Sequence, residues 1–166
     1  MYKFFISIMT PVLLSVLALS PLQAAPEEGK TFNDWKVGCD ENPDTKEKIC
    51  HLQQLISDKK DNKPILMVAA GYLPGREAPT IIITLPLGVL LPPGLTLQVD
   101  DNDAIAFPFE VCDPVGCRAG VELKGDLLKQ FKSGNKAKLT FASIQRKPVG
   151  LPISLSGFTA GLKALK

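Results

Sequence analysis

The chain has 166 residues, 45% hydrophobic and 22% charged, with 19 basic and 17 acidic side chains for a formal net charge of +2. That size and apolar content support a buried core and exclude intrinsic disorder, and a charge so near balance excludes the clustered basic face that nucleic acid demands. Thirteen glycines and 14 prolines favour many turns over long helices.

The chain opens as a secretory signal. Lys3 supplies a short positive start, an apolar run follows from Phe4 to Leu19, and Leu22-Gln23-Ala24-Ala25-Pro26 offers small residues for cleavage after Ala24 or Ala25. Residues 1–25 therefore read as a cleavable leader and residues 26–166 as one domain. The run is short for a membrane span and is interrupted by Pro11, and no cysteine lies near the cleavage site to carry a lipid, so no anchor is expected after cleavage. Removing the leader takes away Lys3 and no acidic residue, leaving 18 basic against 17 acidic groups.

After a polar lead-in over Glu27–Lys30, Phe32 to Cys39 alternates around Trp35 and Val37 and reads as a strand. Cys50 to Ile56 alternates likewise, and Asp58-Lys59-Lys60-Asp61-Asn62-Lys63 reads as a solvated turn. Pro64 to Leu73 is β-prone, Pro74-Gly75-Arg76-Glu77 turns the chain, and Thr80 to Leu85 is rich in Ile and Thr. The apolar stretch from Ile81 to Val99 imitates a membrane span, but Pro86, Gly88, Pro92, Pro93 and Gly94 break it into pieces better suited to two buried strands. Leu95 to Val99 is the second of these. After Asp100-Asp101-Asn102-Asp103, Ala104 to Val111 reads as a strand interrupted at Pro108, and Cys117 to Leu123 as another. A helix capped by Asp126 carries Leu127, Leu128 and Phe131 and ends at Gly134. Strands over Lys136–Ile144 and Val149–Leu155 precede a last helix, capped by Ser156, with Phe158, Leu162 and Leu165 on one face. Short strands with turns about every 8–12 residues and no βαβ rhythm mean a sandwich or open barrel; the expected class is all-β, a jelly-roll-like β-sandwich with one or two short helices, one of them C-terminal.

All four cysteines, Cys39, Cys50, Cys112 and Cys117, lie in the exported part, where oxidising conditions favour disulfides. Three connectivities are open. The local one is favoured: a hairpin through Asp40-Glu41-Asn42-Pro43-Asp44 would bring Cys39 to Cys50, and the tight Asp113-Pro114-Val115-Gly116 loop would bring Cys112 to Cys117. The spacing fits neither zinc knuckles nor a redox C-x-x-C pair.

Chemistry-bearing constellations are sparse. The single histidine, His51, follows Cys50, whose thiol a disulfide would consume, and neighbours in a strand face opposite ways. Ser133-Gly134-Asn135-Lys136 has Ser-x-x-Lys spacing, but Gly134-Asn135 suits a helix end. Asp100, Asp101 and Asp103 offer carboxylates for calcium without the glycine and glutamate of an EF-hand loop. Trp35, Tyr72, Phe107 and Phe109 fit a core better than a binding platform. No catalytic, cofactor or metal site is expected.

Several segments resemble the invasion-associated locus B family. Trp35-Lys36-Val37-Gly38-Cys39 followed by Cys50-His51-Leu52-Gln53-Gln54 is similar to the start of its domains. Leu85-Pro86-Leu87-Gly88-Val89, Pro93-Gly94-Leu95-Thr96-Leu97-Gln98-Val99-Asp100, the loop from Phe109 to Cys117 and the ending Ser154-Leu155-Ser156-Gly157-Phe158 match in order. The resemblance spans Trp35 to Leu165. It implies an exported bacterial β-sandwich, located in the periplasm or secreted to the cell surface, in a family named for members that help pathogens enter host cells. It brings no catalytic residue or cofactor. The expected function is non-enzymatic binding of a protein partner, a host or envelope component, through strand edges and the loop Asp113, Pro114, Val115 and Gly116. A carbohydrate- or ligand-binding module is the alternative and would expose Trp35 or Tyr72 on a concave face; an unfamiliar periplasmic enzyme would show converging polar groups with shifted pKa values.

Overall fold

The computed structural model describes residues 26–42 and 45–166; the expected leader, residues 1–25, and Pro43 and Asp44 of the first turn lie outside the described residues. Eleven strands and two helices follow in order: β1 Thr31–Phe32, β2 Trp35–Glu41, β3 Lys48–Ser57, β4 Pro64–Gly71, β5 Thr80–Leu85, β6 Leu95–Val99, β7 Ile105–Phe107, β8 Val111–Asp113, β9 Gly116–Glu122, α1 Gly125–Ser133, β10 Lys136–Ala142, β11 Pro148–Ser154 and α2 Phe158–Ala164. They form two antiparallel sheets, one of seven strands ordered β1-β2-β3-β4-β5-β9-β8 and one of four ordered β11-β10-β6-β7.

The period-two alternation sets the inner faces. Trp35, Val37, Leu52, Leu66, Val68, Ile81, Ile83, Leu85 and Ala119 of the large sheet meet Leu95, Leu97, Val99, Ala137, Leu139 and Ile153 of the small one, all buried. The intervening residues of β6 and β10, Thr96, Gln98, Lys138 and Thr140, stay at least partly exposed on the other face.

Buried Gln54 clasps the two sheets together. Its Nε2 donates to the carbonyls of Asp34 and Ser154, each at 3.2 Å, and the Ser154 amide donates to its Oε1 at 2.9 Å. Trp35, fully enclosed, donates from Nε1 to the same Ser154 carbonyl at 2.9 Å. A buried polar side chain is tolerated only when its donors and acceptors are matched, as they are here.

The helices pack on each other, and α2 lies against β1, β2 and β3. The Phe158 ring meets Trp35 edge-on at 5.3 Å and Phe131 of α1 at 5.5 Å. Gly161 lets α2 approach closely, because a Cβ there would run into Leu52.

Four local expectations are corrected. The strand expected from Phe32 breaks at Asn33-Asp34, where Asn33 takes φ 51° and turns β1 back onto β2. The strand expected over Ala104–Val111 is two: β7 pairs with β6 in the small sheet and β8 with β9 in the large one, with Pro108 at the crossing. Asp126 is not the cap of α1. Lys124 holds that position without a side-chain bond, and Asp126 stands in the first turn paired to Lys129 at 2.8 Å. Nor does Ser156 cap α2. Gly157 does so at φ 88°, pressed against the Phe32 carbonyl where any Cβ would collide, and the Ser156 hydroxyl accepts a bond from Asn33 instead. Backbone crowding between β1 and α2 thus decides this cap.

Candidate functional site

The β8–β9 hairpin forms one edge of the large sheet. Its register places Cys112 directly opposite Cys117, and a disulfide joins them with Cα atoms 4.0 Å apart. Cys39 and Cys50 are opposite each other in the β2–β3 register and are joined in the same way, also with Cα atoms 4.0 Å apart.

Between Cys112 and Cys117 the turn is fixed from within. Asp113 Oδ1 accepts from the amides of Val115 at 2.9 Å and Gly116 at 3.3 Å, the self-bonded geometry that makes aspartate a turn residue. Its other oxygen pairs with Arg118 Nη2 at 2.6 Å. Gly116 lies so close to the Leu85 carbonyl that a Cβ has no room. What this rigid frame presents is Val115, 77% exposed, with Val111 also exposed on the edge strand. Beside them a shallow groove of about 440 Å³ is lined by Leu91, Pro92, Pro108, Phe109, Glu110 and Val111. A preformed apolar knob next to an apolar groove and a strand edge is equipped to bind, and the low conformational freedom of the loop lowers the cost of doing so.

The other residues singled out from the sequence have structural roles or stand apart. His51 lies on the outer face of the large sheet against Gly38 and Gly71, with Nδ1 3.6 Å from Asp40 Oδ2. Ser133 ends α1, its hydroxyl donating to the Lys129 carbonyl, while Lys136 begins β10, so the two never share a helical turn. The Asp100 carboxylate accepts from the amides of Asn135 and Lys136 at 2.9 and 3.1 Å and ties the β6 end to β10. Trp35 is enclosed, and Tyr72 is half-buried with the Lys166 ammonium 4.9 Å from its ring centre. Phe107 and Phe109 pack against the core. Among the described residues, no group of three or more His, Cys, Asp or Glu is arranged to hold a metal ion.

Shifted pKa values mark surface pairs. Hydrogen bonds from Lys48, Lys63 and Lys129 hold the carboxyls of Glu28, Asp61 and Asp126 below their ordinary range, and Asp126 raises Lys129. All four groups are exposed and none faces the Val115 knob, so these shifts belong to ion pairs screened by water.

Sequence reasoning placed the turn but missed its neighbours. Five large hydrophobic residues, Leu87, Leu91, Val111, Val115 and Ile144, are exposed at the end of the sandwich that holds this turn. Pro86, Gly88, Pro92 and Pro93, which break the Ile81–Val99 stretch, were the available signal that Leu87 and Leu91 leave the core.

The family model for invasion associated locus B protein matches residues 35–166. The chain belongs to the invasion associated locus B family. Its curated relatives include the Invasion protein B homologs of two Brucella abortus strains, each 29% identical over 154 residues, covering 92% of this chain and 87% of the relative. Invasion protein B of Bartonella bacilliformis is 25% identical over 140 residues, 82% of this chain and 73% of the relative. Among solved structures, the invasion associated protein B of Bartonella henselae superposes with a TM-score of 0.70 at 20% identity, over 82% of this chain and 92% of that one. That likeness shows the fold, two antiparallel sheets with two short helices. The family and these relatives are named for invasion.

Proposed function

We propose that this member of the invasion associated locus B family is an exported, non-enzymatic protein of the bacterial envelope or exterior. It supports interaction with host cells by binding a protein partner at the β8–β9 hairpin. The observation that carries the reading is the exposed Val115 knob on a disulfide-closed, self-bonded turn at a sheet edge. Together with exposed Val111 and the groove lined by Leu91 and Pro92 it makes an apolar surface wider than a single side chain, the kind that marks a contact surface. Export, with removal of residues 1–25, is supported by the leader-like start and by two disulfides, which persist in oxidising compartments. Among the described residues no helix is long and apolar enough to cross a membrane. The carbohydrate-binding alternative is disfavoured by the enclosure of Trp35 and the partial burial of Tyr72.

Val115→Asp places a charge where the partner must be desolvated and leaves the turn bonds of Asp113 intact. Chemical cross-linking in the native envelope is expected to join the wild-type protein to a discrete partner, and the variant to lose that product by about tenfold or more, with an unchanged melting temperature. Equal cross-linking by wild type and variant would count against the hairpin as the contact.

A further inference from the structure

The turns at the two ends of the sandwich differ in chemistry. At the end away from the helices, β10 and β11 join in a tight turn in which Arg146 donates to the Ser143 carbonyl and Ser143 to the Lys147 carbonyl, with Ile144 61% exposed. The Leu85–Gly94 segment lies against this turn. Val89 bridges Ser143, the Leu90 amide donates to Ala142, and the Ile144 amide donates to the Gly88 carbonyl at 3.1 Å. Leu87, 60% exposed, is therefore brought beside Ile144 although 57 positions separate them in the chain.

The two segments that form this tip carry no acidic residue. No charged residue occurs from Thr80 to Val99, and no acidic residue from Lys136 to the final Lys166. Exposed Arg146 and Lys147 follow Ile144 in the same turn, and neither is in an ion pair among the described residues. The β3–β4 turn at the same end carries Lys59, Lys60 and Lys63 against Asp58 and Asp61. Of the nearest other carboxylates, Asp113 is paired with Arg118, whereas exposed Glu110 lies over Gly120 on the outer sheet face. Asp100, Asp101 and Asp103 sit at the far end of β6, about 13 Å along the strand.

Paired apolar tips next to two unpaired cations complement an anionic lipid surface, where apolar side chains enter the headgroup boundary and cations meet phosphates. We propose that Leu87 and Ile144, with Arg146 and Lys147, form a peripheral contact that rests the domain on an anionic phospholipid bilayer. This goes beyond the partner reading above and does not depend on it.

The test is co-sedimentation of the full oxidised protein with vesicles of phosphatidylcholine mixed with phosphatidylglycerol, against vesicles of phosphatidylcholine alone. The wild-type protein is expected to bind the mixed vesicles and not the neutral ones, and to be released as salt rises. Binding falls by about tenfold or more in the double variant R146E/K147E and comparably in L87D/I144D. Lys124→Glu, at the opposite end beside Glu122, leaves binding unchanged, and a melting scan shows all variants folded. Equal sedimentation with both vesicle types, competition by free glycerol phosphate, or variants that bind like wild type would overturn the proposal. So would a self-association lost in L87D/I144D, which would assign the tip to a second copy of the chain. The Val115→Asp cross-linking result is read without added lipid, so failure of either reading leaves the other standing.

Discussion

Trp35→Ala is expected to destabilise the oxidised protein by about 3–5 kcal/mol, the range for deleting a fully buried aromatic side chain. Three interactions go at once. The cavity opens against Phe158, whose ring sits edge-on at 5.3 Å and in turn touches Phe131, so both helices lose their seat. The Ser154 carbonyl loses its Nε1 donor and keeps only the Gln54 amide. The two sheets lose their largest shared side chain. A domain of this size has only about 5–15 kcal/mol in total, so urea unfolding of the variant should show a much lower midpoint or no folded baseline. Trp35→Phe retains most of the packing and should cost clearly less. A midpoint for the alanine variant within error of wild type would show that Trp35 does not hold the helices to the sheets.

Removal of the bridges is the second large effect. In the chain-entropy model, Cys39→Ser with Cys50→Ser costs about 3 kcal/mol and Cys112→Ser with Cys117→Ser about 2 kcal/mol, the order following their sequence separations of 11 and 5. The four-serine variant loses the sum, because the two bridges share no partner and lie at different edges of the large sheet. About 5 kcal/mol is the lower bound of a whole domain's stability, so this variant is expected to be marginal at 37 °C. Equilibrium unfolding of the three variants checks both the order and the additivity. If the shorter bridge proved the more stabilising, loop closure would not be its main contribution.

Local patterns explain how much of this was readable in the residues. The alternation in Leu95-Thr96-Leu97-Gln98-Val99 reports a half-buried strand directly, and the structure buries the three apolar positions. Asp113-Pro114-Val115-Gly116 advertises its turn because each residue carries its own conformational bias. What escaped were decisions made between distant segments. Ile105–Phe107 and Val111–Asp113 look like one strand broken at Pro108, and only the competing pairings with β6 and β9 send them to different sheets. Gln54 alternates like any strand residue, and its role as a clasp depends on Ser154, 100 positions later. The caps of both helices went elsewhere because Gly125 at φ 56° and Gly157 at φ 88° set the entry of each helix by backbone geometry. The juxtaposition of Leu87 with Ile144 has no local signature at all; it follows from the bridge between Val89 and Ser143.

Peptide mapping of the natural protein without reduction, isolated from the envelope or culture fluid, tests the central claim most directly. Linked peptides Cys39–Cys50 and Cys112–Cys117 are expected from the pairing in the structure, and a first residue at Ala25 or Pro26 from the expected cleavage of the leader. Free thiols, crossed pairs or a retained N-terminal segment would contradict a disulfide-braced domain that folds after export.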